Sequence, residues 1–448
     1  MTTTTDSTSK TTKTETTTTS IAEPPAMESS KRNPISVAVV GGGIGGLTLA
    51  LGLLKYPHLD VQIYEAAHSF GEIGAGVAIG PNSQRALRLI GDHAWNAFEK
   101  HATPNGWKSY ADVFIEYVAG KGEQDGEVIQ SQKTPGGMQS VHRAHFLDEL
   151  VKGVPTERAH FNKRLQSVED KEGSGVVLHF KDGTTVTADA VVGADGIHSI
   201  TREFLLGERD ISAHSMFAGS VAYRGLVPMD KAVEKLGAKY AENSRMLCGP
   251  GKAILSYPIA LGKILNVAVI DFEYPAWEDE KWIKPASHDQ LERLFTGWGQ
   301  RAHDLVELLD SPNLAVWAMR DDLPASTYAV GRVAMMGDAA HASTPFQGQG
   351  AGQAIEDALV LETLLGRVHD LKHIPNAFAA YDQVRKPRSQ RVVKTSREAG
   401  ALFGMMAEGV GSDLQKIGER AQNRMHWIWN RDLGKQNSEA VALFEESL

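Results

Sequence analysis

At Ile35 the patterned part of the chain begins with a short aliphatic run, a glycine-rich break and then apolar residues at helical spacing. Ile35-Ser-Val-Ala-Val-Val40 is a β-branched run of the kind buried on both faces of a parallel sheet. It leads into Gly41-Gly42-Gly43-Ile44-Gly45-Gly46, after which Leu47, Leu49, Ala50, Leu51, Leu53 and Leu54 predict a strongly apolar helix. A second strand, Val61-Gln-Ile-Tyr64, ends on Glu65. Val176 to Phe180 and the run from Thr185 to Val192 flank Lys181-Asp182-Gly183-Thr184, where Asp-Gly supports the positive φ of a tight hairpin. Arg332-Val-Ala-Met-Met336 predicts one more short strand, followed by a glycine-rich helix start.

Between about residues 209 and 317 the pattern changes to successive strand-like runs, Ser220 to Val227, Lys252 to Tyr257 and Ile264 to Ile270. They predict a mostly antiparallel sheet inserted between two halves of the first domain. Residues 376 to 448 read as helices, with Arg385 and Arg388 either side of Pro387 and with Trp427 and Trp429 near the end. They suggest a cap and a surface for either a monomer or a homodimer. Residues 1 to 33 are dominated by Thr, Ser, Lys and Glu, cannot offset the entropy of ordering, and are expected to be a disordered tail. Asp6, Glu15 and Glu23, with no arginine before Arg32, are unlike a mitochondrial presequence, and the tail lacks the apolar stretch of a secretory signal. No run of about 18 apolar residues follows, so no membrane span is expected.

Composition narrows the function. A net charge of −9 disfavours nucleic acid and anionic membrane surfaces, both of which select basic patches. Cys248 is the only cysteine, so neither an intramolecular disulfide nor a cysteine metal cluster can form; no metal site is expected, and a reducing, cytoplasmic compartment fits.

The first glycine cluster carries chemistry. Gly41, Gly43 and Gly46 have the spacing of a dinucleotide-binding turn: one for the turn, one for approach of a pyrophosphate, one for packing of helix on strand. Glu65 stands 22 residues past Gly43, where a carboxylate accepts from a ribose. Two further segments follow. One is Gly193-Ala194-Asp195-Gly196-Ile197-His198-Ser199. The other is Gly337-Asp338-Ala339-Ala340-His341, running on to Pro345-Phe346-Gln347-Gly348-Gln349-Gly350-Ala351-Gly352. A Gly-Asp at a strand end can aim a carboxylate at a ribityl hydroxyl, and a glycine-rich helix start offers free N–H groups.

In this order and at these separations, the three segments resemble the class A flavoprotein aromatic hydroxylases, in particular the salicylate hydroxylase-like branch with its fungal members. The likeness spans about residues 34 to 400. It implies an α/β fold with a Rossmann-type FAD-binding domain over 34–208 and 318–375. An inserted mostly antiparallel β-sheet substrate domain would span 209–317, and a C-terminal helical region 376–448. It implies FAD as cofactor, NADH or NADPH as co-substrate binding without a domain of its own, O2, and a small aromatic substrate. Asp338 would serve the ribityl chain, Ala351 would let the flavin ring approach, and Asp195 would serve both FAD and NAD(P)H. Ala78, in Glu72 to Ile79, and Arg143, in His142 to Leu147, match cofactor-contacting positions. Arg224 and Tyr257 match an Arg and a Tyr that hold a substrate phenolate or carboxylate, and Tyr257 would orient or deprotonate the phenol.

One departure concerns the base. Bacterial salicylate hydroxylases carry Pro-His-Gln-Gly where this chain has Pro345-Phe346-Gln347-Gly348, and His341 is the nearest alternative imidazole. The implied reaction is hydroxylation of a phenolic acid, giving a catechol when the attacked carbon carries the carboxylate. A dearomatising or hydroxylating monooxygenase acting on a larger polyketide phenol, and a non-catalytic flavin-binding regulator, are the alternatives.

Overall fold

The computed structural model describes residues 1, 33–70, 75–171 and 174–448. Residues 2–32 of the expected tail, and Glu72 to Gly74 of the segment expected along the flavin, lie outside these. Ile35–Val40 is central to a six-stranded sheet, between Ala190–Gly193 and Leu59–Tyr64. Val333–Met335 and Ala159–His160 flank these, every pairing so far being parallel, and Ala329–Val330 closes one edge antiparallel. The expected helix forms over Ile44–Leu53, with Leu47, Leu49, Ala50 and Leu53 fully buried. Such a helix, apolar on most sides, is held by packing; each buried leucine contributes on the order of 1.5–3 kcal/mol.

The run from Thr185 to Val192 divides at Asp189. Thr185–Ala188 pairs antiparallel with Gly175–Phe180 through the expected Asp-Gly turn, whereas Ala190–Gly193 crosses into the parallel sheet. Asp189 fixes the crossing, because its Oδ2 accepts from both the backbone N–H and the hydroxyl of Ser36, at 2.8 and 2.7 Å.

The second sheet has eight strands, in the order Ile283–Pro285, Ala315–Asp321, Met216–Pro228, Ile264–Asp271, Lys252–Ile259, Arg245–Gly249, Val113–Ala119 and Val128–Lys133. It is antiparallel throughout except where Arg245–Gly249 runs parallel to Val113–Ala119. It therefore recruits two strands from well before residue 209, although they are distant in sequence from the other six. Residues 34–448 form one compact unit.

A long helix, Ile374–Phe403, carries Pro387 in its interior. Proline removes one helical hydrogen bond, but the arginines on either side anchor the helix from without. Arg385, fully buried, donates Nε to Asp357 at 2.8 Å and Nη1 to Glu356 at 2.7 Å; Arg388 donates Nε to Glu356 at 2.7 Å. Glu356 and Asp357 sit on the helix Gly350–Leu365. Burial raises both carboxyl pKa values, but the arginines (and His341 beside Asp357) more than offset it, so both lie below the ordinary carboxylate range. Trp429, near the chain's end, is a core residue, 1% exposed and 4.7 Å from Phe114 between ring centroids. Among the described residues no helix is long and apolar enough to cross a membrane, and no cluster of His, Cys, Asp or Glu could hold a metal.

Arg385→Met should leave two buried carboxylates without their shared cation and cost about 3–5 kcal/mol at neutral pH. Without the guanidinium, burial favours protonated carboxyls in the folded state, so the deficit should shrink as pH falls. Denaturant melts at two pH values check this; a neutral-pH loss under about 1 kcal/mol would contradict it.

Candidate active site

The described residues enclose a cavity of about 940 Å³ where the two sheets meet. Gly41, Gly43, Gly46, Glu65, Ala78, Arg143, Asp195, Arg224, Tyr257, Asp338 and Ala351 all line it. Residues from widely separated stretches of sequence thus share one wall system.

At the dinucleotide end the three glycines differ physically. Gly41 has φ +109°, and a Cβ there would collide with the backbone of Ala194. A Cβ on Gly46 would collide with the Gly41 carbonyl, so that glycine serves packing of helix against strand. A Cβ on Gly43 would meet nothing within 4 Å. This is open space at a helix N-terminus, shaped for a group that needs bare backbone N–H donors. Glu65 is aimed by its neighbours: Oε2 accepts from Gly42 N and Oε1 from Ala67 N, both at 2.7 Å. Each oxygen keeps a further lone pair for a hydroxyl donor.

Asp338 follows Gly337, whose φ of +60° turns the chain at the strand end. The Gly337 N–H is held by Asp357 Oδ2 at 3.0 Å, which fixes the direction of the next side chain. The Asp338 carboxylate is exposed and takes no hydrogen bond among the described residues. Ala351 is the second residue of the helix Gly350–Leu365, and Ala78 faces the same loop, 3.6 Å from where a Cβ on Gly348 would stand. Asp195 lines the cavity, but its carboxylate accepts from Ser199 Oγ at 2.5 Å and from Thr201 N at 3.1 Å. Burial raises its pKa, and these donors only partly oppose that. Open pyrophosphate space, an aimed ribose acceptor and a free carboxylate beside a small-residue helix start are the donors and clearances that FAD requires.

The other wall is one face of the eight-stranded sheet. Arg224 pairs with Ala268, Ala268 with Leu255, Leu255 with Met246 and Met246 with Tyr117. All five line the cavity. Four interstrand steps make this floor about 19 Å wide. Tyr257 pairs with Asn266, which anchors the flavin-side strand through Gly76 N at 3.1 Å. Phe114, Met138, Met319, Phe346, Phe403 and Met425 add apolar walls.

Arg224 lines this wall as an exposed residue, and the protein around it lowers its pKa by desolvation; Tyr257 opposes that and Arg143 adds to it. Burial raises the Tyr257 phenol well above its ordinary pKa, with Arg224 in partial opposition. Its hydroxyl bonds to no described residue, so it offers the cavity a proton donor. His341 does not reach the cavity: it is 2% exposed and its Nε2 lies 2.6 Å from Asp357 Oδ2. Phe346 packs on Phe272, 5.1 Å between centroids, and brings no titratable group in the histidine's place. Asn266, Met246, Tyr117 and Arg424 are lining residues that sequence reasoning missed. The polar Asn266 within Ile264 to Ile270 was the one visible signal among them.

The family described as FAD binding domain matches residues 34–396. The chain is 49% identical over 418 residues to the 6-methylsalicylate 1-monooxygenase of Aspergillus terreus, covering 92% of this chain and 93% of that protein. It is 38% identical over 426 residues to a salicylate hydroxylase of Pseudomonas putida, covering 92% and 95%. Among solved structures, a salicylate hydroxylase substrate complex superposes with a TM-score of 0.80 at 35% identity, covering 91% of this chain and 98% of that one.

Two glycine substitutions separate cofactor binding from folding. Gly43→Val should leave the melting temperature of the flavin-free protein nearly unchanged while weakening FAD at least about tenfold by filling phosphate space. Gly46→Val should destabilise the flavin-free protein itself by about 1–3 kcal/mol or more through overpacking. Flavin titration and thermal melts check the pair; equal behaviour of the two variants would contradict the assignment.

Proposed function

This chain belongs to the FAD binding domain family and is an FAD-dependent monooxygenase that uses NAD(P)H; on that premise we propose that it hydroxylates a small phenolic aromatic acid of the salicylate type. The observation that carries this reading is Arg224, a cation set beside a hydroxyl donor on an otherwise largely apolar sheet face. Bound FAD supplies the redox chemistry, taking electrons from NAD(P)H and activating O2 for transfer of one oxygen atom. Gly43, Glu65, Asp338 and Ala351 would hold it, with Ala78, Arg143 and Asp195 as further contacts.

The chain's own residues select and prepare the substrate. The guanidinium of Arg224 stabilises a phenolate or carboxylate oxygen, for which its planar fork is suited. Tyr257, kept protonated by burial, donates from its hydroxyl to that oxygen and fixes the ring's orientation. With Phe346 in the wall and His341 sealed against Asp357, no imidazole at that loop takes the phenolic proton. Arg224 therefore favours the phenolate electrostatically, and the proton leaves to water as the substrate settles. The apolar walls exclude water from the ring carbon that is to be oxygenated. One atom of O2 enters the ring and the other leaves as water with two electrons from NAD(P)H. Where the attacked carbon bears the carboxylate, CO2 departs and a catechol remains.

The roughly 19 Å floor, longer than one aromatic ring, favours a second reading in which the substrate is a larger phenol that keeps its carbon skeleton. Product analysis separates the two, since only the first releases CO2.

Arg224→Ala should raise KM for the phenolic acid about tenfold to a hundredfold, as expected for loss of a charged hydrogen bond, with full flavin content. Tyr257→Phe should bind flavin normally and lose coupling between NAD(P)H oxidation and product. Substrate-stimulated NAD(P)H oxidation with product quantification tests both; loss of flavin from Arg224→Ala would remove that residue from the substrate wall.

A further inference from the structure

The end of the sheet face opposite Arg224 holds another cation. Arg424 lies between the helices Leu414–Gln422 and His426–Trp429, and its side chain lines the cavity beside Tyr117 and Met425. Its Nη2 donates to the Thr395 carbonyl at 2.6 Å and to Glu398 Oε2 at 3.3 Å. Nε is buried without a partner among the described residues. The side chain is 14% exposed, while Glu398, on its outer side, is 50% exposed. Arg424 therefore spans the wall between solvent and cavity. Its one carboxylate partner is half in water, where such a pair contributes about 0–1 kcal/mol.

Charge distribution gives this placement meaning. The chain carries −9 overall, which repels an anionic substrate at long range. The carboxylates that line the cavity, Glu65, Asp195, Glu203 and Asp338, belong to its dinucleotide side, where the cations Arg143, Lys163, Arg164 and Lys181 also line it. On the sheet side the charged lining groups are Arg224 and Arg424. A cation at a wall that reaches solvent, joined to the inner cation by an apolar floor, is an electrostatic funnel for an aromatic anion.

We propose that Arg424 guards the substrate entrance, capturing the carboxylate of the incoming aromatic acid and passing the ring along the Leu255–Met246–Tyr117 floor toward Arg224. This rests on the reading of the protein as a phenolic-acid monooxygenase and adds to it a route and a specificity residue. Arg424 exchanges its weak contact with Glu398 for the substrate carboxylate, then recovers Glu398 once the acid has moved inward. Neutral phenols of the same shape gain nothing from it.

The test uses the holoenzyme with a hydroxybenzoate and the corresponding neutral hydroxybenzamide. For the wild type, kcat/KM for the acid should fall as ionic strength rises, and that for the amide should not. Arg424→Gln, which keeps a donor for the Thr395 carbonyl, should lower kcat/KM for the acid about tenfold, the loss carried by KM, and should flatten its salt dependence. The amide's kcat/KM should change less than about twofold. Arg424→Lys should restore the salt dependence. Equal losses for acid and amide, or an unchanged salt slope in Arg424→Gln, would overturn the proposal. Perturbation of the flavin absorbance by added acid separates the two levels. A wild type that binds the acid identically to Arg424→Gln, with equal kinetics, defeats the entrance role alone. A wild type that binds no phenolic acid defeats the functional reading and the entrance role together.

Discussion

Asp357 bonds three parts of the molecule at once: the backbone N–H of Gly337, the imidazole of His341 and the guanidinium of Arg385. It is fully buried, so each bond operates where solvent screening is weak. Through Gly337 it sets the turn that aims Asp338 into the cavity. Through Arg385 it fastens the proline-containing helix Ile374–Phe403, whose far end carries Phe403 onto Tyr117 with ring centroids 4.3 Å apart. Both the cofactor side and the substrate side of the cavity therefore depend on one carboxylate and its paired cation. A network of this kind is stable only when complete, which explains why Glu356, Gln353 and Arg388 crowd around the same point.

The cavity divides its work by chemistry. One side is backbone N–H groups, open glycine space and aimed carboxylates, the set that a charged dinucleotide needs. The other is a sheet face of alternating side chains, largely apolar, from which Arg224, Tyr257, Asn266, Gln132 and the Tyr117 hydroxyl project. In the proposed reading, a flat ring bound between them would be shielded from water on the face that reacts and held by charge at one edge. The protein supplies placement and charge, and the oxidising power belongs to the cofactor.

Much of this was legible in the sequence because the decisive features are local. A glycine triplet after a β-branched run, and an acid 22 residues on, require no knowledge of distant contacts. The same holds for Gly337-Asp338 and the glycine-rich helix start. What was not legible depends on pairing across long separations. Val113–Ala119 joins the substrate sheet by running parallel to Arg245–Gly249, and nothing in its own residues announces that partner. The run from Thr185 to Val192 read as continuous because neither Gly nor Pro interrupts it; the Asp189–Ser36 contact that splits it joins residues 153 apart. His341 could be weighed from sequence only as a nearby imidazole, whereas its burial against Asp357 gives it a structural partner. Arg424 carries no sequence signal of its own, and only the fold brings it to the cavity wall.

A crystal structure of the holoenzyme with a phenolic acid bound tests the central claim most directly, since that claim is about where two ligands meet. The account predicts the FAD pyrophosphate against Gly43 and the acid's ring on the Ala268–Leu255–Met246 face, with an oxygen of the acid bonded to both Arg224 and Tyr257. An acid bound off that face, or on it without contact to Arg224, would contradict the account.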